Sequence, residues 1–135
     1  MPVEDDITLK KILSGVRTVA VVGASPNPDR DSNRITRYLV GRGYTVYPVN
    51  PNSAEVLGIP SSPDLRSLPG PVDLVNVFRR PEVVDEVVRE AIAVGAKVLW
   101  LQLGVINEHA AATAEEHGLQ VVMDRCIAVD HSRLM

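Results

Sequence analysis

Short apolar runs alternate along the chain with stretches whose apolar residues recur at helical spacing. The apolar runs are rich in Val, Ile and Leu, have the length of buried strands, and lie at 18–23, 44–49, 72–78, 97–103 and 119–123. Amphipathic stretches lie at 32–42, 81–94 and 107–117. This alternation is typical of parallel strands joined by crossover helices. It predicts a Rossmann-like, doubly wound α/β fold of three layers, with a mainly parallel sheet of about five to six strands.

Helix-capping residues and prolines refine these boundaries. Ser32 and Asn107 are expected to cap the helices that follow them, because their side chains accept hydrogen bonds from the first free amides of a helix. Residues 1–15 are predicted to be a leading helical segment with an apolar stripe. Five prolines between 51 and 71 exclude a long helix there, and we expect only a short edge strand near 55–59.

Composition excludes several classes of protein. The chain has 135 residues, which suits a single domain over 1–135, and a formal net charge of -3, which argues against a broad nucleic-acid-binding surface. No apolar run approaches the roughly 20 residues needed to span a bilayer. A single cysteine, Cys126, cannot form an internal disulfide, and the N-terminus lacks the pattern of a secretion signal. We expect a cytoplasmic protein that is a monomer or a small homo-oligomer.

Chemistry is expected where the parallel strands end, because doubly wound sheets bind ligands beyond the carboxyl ends of their strands. Those ends carry Gly23-Ala24-Ser25, Asn50-Pro51, Val77-Phe78-Arg79 and Gln102-Leu103-Gly104. A strand that ends in glycine before a helix presents free amides and the positive helix end to a phosphate. The loop after the first strand therefore predicts a nucleotide-binding site.

The same loop departs from the NAD-binding pattern. No glycine follows Gly23 before Gly41, so the spacing G-x-G-x-x-G is missing. Asn50 stands near the position where an NAD-binding chain normally presents an acidic side chain to the ribose. Arg30 and Ser32 offer a charge and a hydroxyl to a pyrophosphate, although the alternative that Ser32 only caps its helix and Arg30 is solvated stays open.

These segments together resemble a known family. The residues that carry the resemblance are Val21-Val22-Gly23-Ala24-Ser25, Arg30-x-Ser32, Pro48-Val49-Asn50-Pro51, Val77-Phe78-Arg79-Arg80-Pro81, Leu99 to Val105 and Val122 to Cys126. They resemble the small stand-alone CoA-binding proteins, which are similar to the CoA-binding domain of the succinyl-CoA synthetase alpha subunit. The resemblance runs from about residue 15 to residue 131, nearly the whole chain.

The resemblance implies a binding role for each strand end and coenzyme A or an acyl-CoA as the ligand. It implies that Gly23, Ala24 and Ser25 face the pyrophosphate and that Asn50 and Pro51 border the adenosine. It also implies that Val77, Phe78 and Arg79 form a wall beside adenine and ribose, with Arg79 within reach of a phosphate. Gln102 and Gly104 would flank the pantetheine arm.

Two departures from the synthetase pattern bear on function. The alpha subunit has a lysine shortly after its second-strand proline, where this chain has Asn52 and Ser53. The residues that could substitute for it in recognising the 3′-phosphate are Arg30, Arg34, Arg42 and Arg79, although Arg34 can equally belong to a solvated helix face. The synthetase works through a phosphorylated histidine in a second domain, for which this chain has no room. The sequence therefore favours a CoA-binding protein over a ligase.

Two alternatives remain at the level of sequence. Cys126 lies beside Arg125, and a neighbouring cation favours the thiolate, so an enzyme of acyl or thiol–disulfide exchange with CoA is one hypothesis. A lone cysteine is more often a small buried apolar residue, and we predict neither a catalytic residue nor a metal site from the nearby Asp130 and His131. The strand, turn and helix alone would also suit an NAD(P)-binding protein.

Overall fold

The computed structural model describes all residues, 1–135, and consists of a parallel sheet between two layers of helices. Its helices are α1 (Asp6–Gly15), α2 (Asp31–Gly41), α3 (Val84–Ala93), α4 (Glu108–Glu116) and α5 (Ile127–Leu134). Its strands are β1 (Thr18–Val22), β2 (Thr45–Val49), β3 (Glu55–Val56), β4 (Ile59–Pro60), β5 (Leu74–Val77), β6 (Val98–Leu101) and β7 (Gln120–Val122). None of the helices has the length and apolar character needed to cross a membrane.

The main sheet has five strands in the order β2-β1-β5-β6-β7, and all neighbours pair in parallel. Side chains on alternate strand positions enter two separate apolar cores. In β1, Ala20 and Val22 join the core beneath α3 and α4, whereas Val19 and Val21 join the core beneath α1, α2 and α5. The predicted Rossmann-like, three-layer fold is confirmed.

The strand order reverses at β1, which places its carboxyl end at the switch point of the sheet. From β1 the chain adds β2 on one side, and β5 then pairs on the other side. Beyond the strands, the Phe78 amide donates to the Val22 carbonyl at 2.8 Å and the Gly23 amide donates to the Val49 carbonyl at 2.9 Å. Because helices leave the sheet on opposite faces here, a crevice opens above these residues.

Two local predictions are wrong. Helix α2 begins at Asp31 with Arg30 at the N-cap position, so Ser32 is not its cap and lies within the first turn. The short strand predicted near 55–59 is present as β3, but it pairs with β4 in a separate antiparallel hairpin and does not form an edge of the main sheet; Leu57 and Gly58 have positive φ in its turn. Asn107 does cap α4, since its side chain accepts a hydrogen bond from the Ala110 amide at 2.9 Å.

The sequence does not predict helix α5, because its buried face is partly polar. Ile127, Asp130 and His131 are the buried residues of this eight-residue helix, so the apolar repeat that marks α3 is missing. The His131 side chain is 8% exposed, its Nδ1 lies 2.9 Å from the Tyr38 hydroxyl, and its ring packs edge-on against Tyr44. Burial, with the nearby positive charge of Arg42, lowers the pKa of His131.

We expect the stability of the protein to fall when the pH drops below about 6.5, the usual pKa of an unfolded histidine. Because folding lowers the pKa of His131, the unfolded chain binds more protons in this range, and acid therefore favours unfolding. One such group changes the free energy of unfolding by at most about 1.4 kcal/mol per pH unit. Urea unfolding of the wild type and of His131→Gln between pH 7.5 and 5.5 measures it, and equal slopes in the two proteins would contradict the assignment.

Candidate functional site

Gly23 lets two strands approach at the switch point. Its φ is 89°, and a Cβ atom at this position would lie 2.3 Å from the carbonyl oxygen of Phe78. No other residue avoids both the unfavourable dihedral and this overlap. The glycine therefore brings the loop after β1 against the end of β5.

Three polar side chains hold the loop after β1 in place. The Ser32 hydroxyl accepts a hydrogen bond from the Ser25 amide at 3.1 Å, and the Asn33 amide group donates to the Ser25 carbonyl at 2.9 Å. From β2, the Asn50 amide group donates to the Ala24 carbonyl at 2.8 Å. Asn50 therefore fixes the loop, in the region where an NAD-binding chain would place an acid for the ribose.

Asn33 was not identified from the sequence. It is 1% exposed, and its side chain joins the loop to α2, where Arg37 donates to its Oδ1 at 2.7 Å. The sequence signal for such a residue is an Asn in the first turn of a helix that follows a strand-ending glycine. Once that residue is buried, its polar groups need partners, and the loop supplies them.

Free amides gather around this loop. The backbone amides of Ala24, Asp31 and Ser32 donate to no protein acceptor, whereas the Ser25 amide, expected to face a phosphate, is occupied by Ser32. Asp31 and Ser32 line a cavity of about 450 Å³, the loop cavity, together with Gly23, Ser25, Asp29, Arg30 and Phe78, whereas Ala24 is completely buried and does not line it. The positive end of α2 and its free amides make this cavity suitable for an anion.

Two unpaired guanidinium groups lie at the loop after β1. Arg30 lines the loop cavity, and Arg79 has its Cδ 3.3 Å from the position that a Cβ at Gly23 would take. Both are exposed and form neither a hydrogen bond through the side chain nor a salt bridge. Arg34, by contrast, pairs with Asp31 and so offsets the only carboxylate in the first turn of α2.

A second cavity, the α3 cavity, lies on the α3 side of the switch point and has a volume of about 260 Å³. Val22, Val49 and Pro51 give it apolar walls, and Asp64, Arg79, Glu86 and Glu90 give it charged ones. Val77 is completely buried beneath this region and does not reach the cavity surface. The strand-end residues Pro51 and Arg79 are thus brought together here, while Val77 only supports them.

A third opening, the cysteine groove, has a volume of about 400 Å³ on the side of α2 and α5. It is lined by Asp31, Arg34, Ile35, Phe78, Gln102, Leu103, Val105, Cys126 and Val129. It shares Asp31 and Phe78 with the loop cavity, so the two openings adjoin. Val22 and Arg79 of the α3 cavity are chain neighbours of Gly23 and Phe78, so the three openings adjoin one another along the carboxyl edge of the sheet.

Gln102 and Gly104 occupy different environments. Gln102 is 5% exposed and forms part of the groove wall, whereas Gly104 is exposed and does not line the groove. Gly104 has a φ of 86°, and its amide donates to Asp124 Oδ1 at 2.7 Å. It therefore shapes the turn after β6 rather than the groove itself.

Arg125 does not offer Cys126 a free cation. Its guanidinium forms two hydrogen bonds with Asp130, at 2.7 Å from Nε and 3.0 Å from Nη2. The Asp130 carboxylate raises the pKa of Arg125. The positive charge that the sequence placed beside the thiol is consequently neutralised by a carboxylate one helical turn further along the chain.

The geometry of this edge agrees with a comparison against protein families. A family model described as a CoA binding domain matches residues 17–132. The chain belongs to the CoA-binding domain family. The match spans all three openings and confirms the family resemblance drawn from the strand-end motifs.

Members and relatives of the CoA-binding domain family differ widely in length. The uncharacterized protein YneT of Bacillus subtilis is 41% identical over 124 residues, which is 92% of each chain. The ADP-forming acetate–CoA ligase I of Archaeoglobus fulgidus is 28% identical over 128 residues, and the match covers 87% of this chain and 19% of the ligase. The domain thus resembles both a protein of its own size and one segment of a much longer ligase.

Solved structures show the same relationship. A hypothetical protein from Pyrococcus horikoshii is 40% identical, with a TM-score of 0.95 over 99% of this chain and 96% of that one. The dinucleotide-forming acetyl-coenzyme A synthetase 1 of Ca. Korarchaeum cryptofilum, in complex with phosphate and ADP, is 25% identical with a TM-score of 0.74. That match covers 84% of this chain and 27% of the synthetase.

Proposed function

We propose that this protein binds coenzyme A or an acyl-CoA in the crevice at the carboxyl edge of its sheet. The observation that carries the proposal is the succession of three adjoining openings around Gly23, of which the central one is lined by free backbone amides. CoA also has three parts, an adenosine, a pyrophosphate and a pantetheine arm. Membership of the CoA-binding domain family supports the assignment of this ligand class.

The loop cavity is the site proposed for the pyrophosphate. The amides of Asp31 and Ser32, which line this cavity, have no protein acceptor, and an unpaired amide gains most from an anionic oxygen. Arg30 stands at the mouth without a partner and supplies a positive charge. Gly23 contributes by letting the loop lie close to β5, since its own amide is bonded to Val49.

The α3 cavity is the site proposed for adenosine. Val49 and Pro51 offer flat apolar contacts to the base, and Asp64 and Glu86 offer acceptors for its amino group and for the ribose hydroxyls. Asn50 borders this site by holding the loop through Ala24. Arg79 is the residue proposed for the 3′-phosphate, because it lines the cavity, has no partner, and the second-strand turn has Asn52 and Ser53 instead of a lysine.

The cysteine groove is the site proposed for the pantetheine arm. Phe78, Leu103 and Val105 provide apolar walls for its methylene chain, and Gln102 provides a polar group for its amides. In this proposal the protein holds its ligand in the cytoplasm without ligase activity. The ligase and synthetase named above match this chain over only 19% and 27% of their own lengths. The NAD(P) alternative is disfavoured by the family and by Asn50, which is engaged with the loop.

Calorimetry with CoA, dephospho-CoA, acetyl-CoA and NAD tests the ligand class. We expect CoA and acetyl-CoA to bind, and CoA at about 100 times its Kd to raise the free energy of unfolding by about 2.7 kcal/mol. The Arg79→Ala variant should weaken CoA binding roughly tenfold or more, because a charge-assisted hydrogen bond is lost, and should leave dephospho-CoA binding nearly unchanged. Arg80→Ala, which removes the exposed neighbouring charge, is the matched control. Saturable binding of NAD with no response to CoA would refute the proposal.

A further inference from the structure

Asn76 is a polar residue in the middle of the sheet. It is completely buried, whereas the other residues of β5, Leu74, Val75 and Val77, are apolar. Its Oδ1 is the only buried side-chain nitrogen or oxygen in the protein without a hydrogen-bond partner. Since a buried acceptor without a donor lowers stability, an apolar residue at this position would suit the sheet better. The presence of an asparagine here therefore calls for an explanation other than stability.

The other end of the Asn76 carboxamide bonds to the neighbouring strand. Its Nδ2 donates to Gln102 Oε1 at 3.2 Å and to the Trp100 carbonyl at 3.4 Å. Gln102 Oε1 also accepts a hydrogen bond from the Ile127 amide at 3.4 Å. Because a backbone amide can only donate, Ile127 determines that the oxygen of Gln102 faces it. That oxygen in turn requires the nitrogen of Asn76, so the three groups fix one another's orientation.

Gln102 does for α5 what an N-cap side chain normally does. The N-cap residue itself, Cys126, offers no side-chain hydrogen bond to the helix, and the first-turn amides of Ala128 and Val129 have no protein acceptor. Ile127 is 1% exposed, so its amide depends on a protein acceptor rather than on solvent. The acceptor comes from the end of β6, and it ties the first residue of the helix to the sheet.

This hydrogen bond joins two walls of the cysteine groove. Gln102 lines the groove from the β6 side, and Cys126 and Val129 line it from α5, on either side of Ile127 in the chain. We propose that Asn76 is a positioning residue for the CoA site, because it fixes the Gln102 side chain that holds the first turn of α5 against β6. This inference rests on the proposed function, in which the same groove takes the pantetheine arm.

The effect of Asn76 is confined to one part of the crevice. Neither Asn76 nor Gln102 lines the loop cavity or the α3 cavity. The loop after β1 is held by Ser32, Asn33 and Asn50, through hydrogen bonds that involve neither of them. Loosening the start of α5 therefore changes the groove and leaves the sites proposed for the pyrophosphate and the adenosine in place.

Calorimetry of Asn76→Leu with CoA and with 3′-phosphoadenosine 5′-diphosphate tests the proposal. The second compound is CoA without its pantetheine arm. We expect the variant to bind CoA roughly tenfold more weakly, which corresponds to one lost hydrogen bond, and to bind the compound without the arm within about twofold of the wild type. Val121→Ala is the matched control, because it truncates a buried side chain in the core beneath α3 and α4, on the other face of the sheet, and should change neither affinity.

Amide hydrogen exchange followed by NMR tests the same connection without a ligand. In the wild type the Ile127 amide should exchange more slowly than the amides of Ala128 and Val129, because it alone of the three has an acceptor. Asn76→Leu and Gln102→Met should each speed exchange at Ile127 roughly tenfold. Gln102→Glu should keep the slow exchange, because both partners of Oε1 are donors and a carboxylate oxygen accepts from both.

The two measurements separate this inference from the proposed function. Wild-type affinity of Asn76→Leu for CoA would overturn the positioning role and leave the CoA site standing. An equal loss of affinity for both compounds would show a general disturbance of the protein and would also overturn the role. Equal exchange rates for the three amides in the wild type would overturn it even if Asn76→Leu does not fold. Absence of CoA binding by the wild type would overturn the proposed function, and the positioning role in it as well.

Discussion

Gly23→Ala is expected to abolish CoA binding and to lower the free energy of unfolding by roughly 2–5 kcal/mol, from the steric overlap and the unfavourable backbone conformation together. The substitution places a Cβ atom 2.3 Å from the Phe78 carbonyl oxygen, in a backbone conformation with φ of 89° that L side chains rarely adopt. The neighbouring atom belongs to the backbone, so it cannot turn away as a side chain would. The loop must therefore move from β5, and the amides beside the pyrophosphate site move with it.

Urea unfolding and CoA calorimetry of the same variant measure the two effects. Gly41→Ala is the matched control, because Gly41 is the last residue of α2, has no atom within 4 Å of a built Cβ, and does not have a positive φ. We expect this control to bind CoA normally and to be as stable as the wild type or slightly more stable. A Gly23→Ala protein with wild-type stability and affinity would contradict the role given to the close contact with Phe78.

The location of the site was predictable from the sequence, because it follows from strand order alone. Parallel strands place their carboxyl ends at one edge, so the residues after each apolar run had to lie along a common edge. Gly23, Pro51, Phe78 and Arg79 are all found there, in cavities that adjoin one another. The family was also predictable, because the motifs that carry the resemblance lie at these strand ends, within the residues 17–132 that the family model matches.

The role of each residue at this edge of the sheet was not predictable, because it depends on which polar groups form hydrogen bonds with one another. Ser32 has the chemistry of an N-cap, yet its hydroxyl binds the Ser25 amide and the helix begins one residue earlier. Gly104 follows Gln102 by two residues, yet only Gln102 lines the groove. Local propensity does not show which hydrogen-bond partner a polar side chain takes, since a residue such as Ser32 can accept from a helix amide or from a loop amide equally well.

The sequence also does not show how the charges around α5 pair, for a related reason. A sequence places Arg125 beside Cys126, but it does not show that the arginine side chain turns toward a carboxylate in the next helix. Helix α5 itself escaped detection because Asp130 faces the interior, where periodicity analysis looks for apolar side chains. A buried carboxylate is tolerated only when it is paired. Asp130 therefore accounts both for the missing apolar repeat of α5 and for the position of the Arg125 side chain.

Arg125→Met is expected to destabilise the protein by about 3 kcal/mol, the lower end of the range for a broken buried ion pair. Asp130 is 4% exposed, and without Arg125 it keeps only the contact of Oδ1 with Arg133 at 3.2 Å. The reverse substitution, Asp130→Asn, should cost less, because the side chain of Arg125 is 30% exposed and can be hydrated. A larger loss of stability for Arg125→Met than for Asp130→Asn is what we expect of an ion pair with one buried and one accessible partner.

Urea unfolding of the two single variants and of one double variant measures this inequality. The double variant Arg125→Met with Asp130→Leu should be more stable than Arg125→Met alone, because it removes the unpaired carboxylate along with its partner. Arg133→Met is the matched control: it removes an exposed guanidinium whose other partner, Asp6, is also exposed, and we expect a much smaller loss. Equal losses for Arg125→Met and Arg133→Met would mean that Asp130 remains hydrated in the folded state, and that the position of α5 beside the cysteine groove depends on its apolar contacts instead.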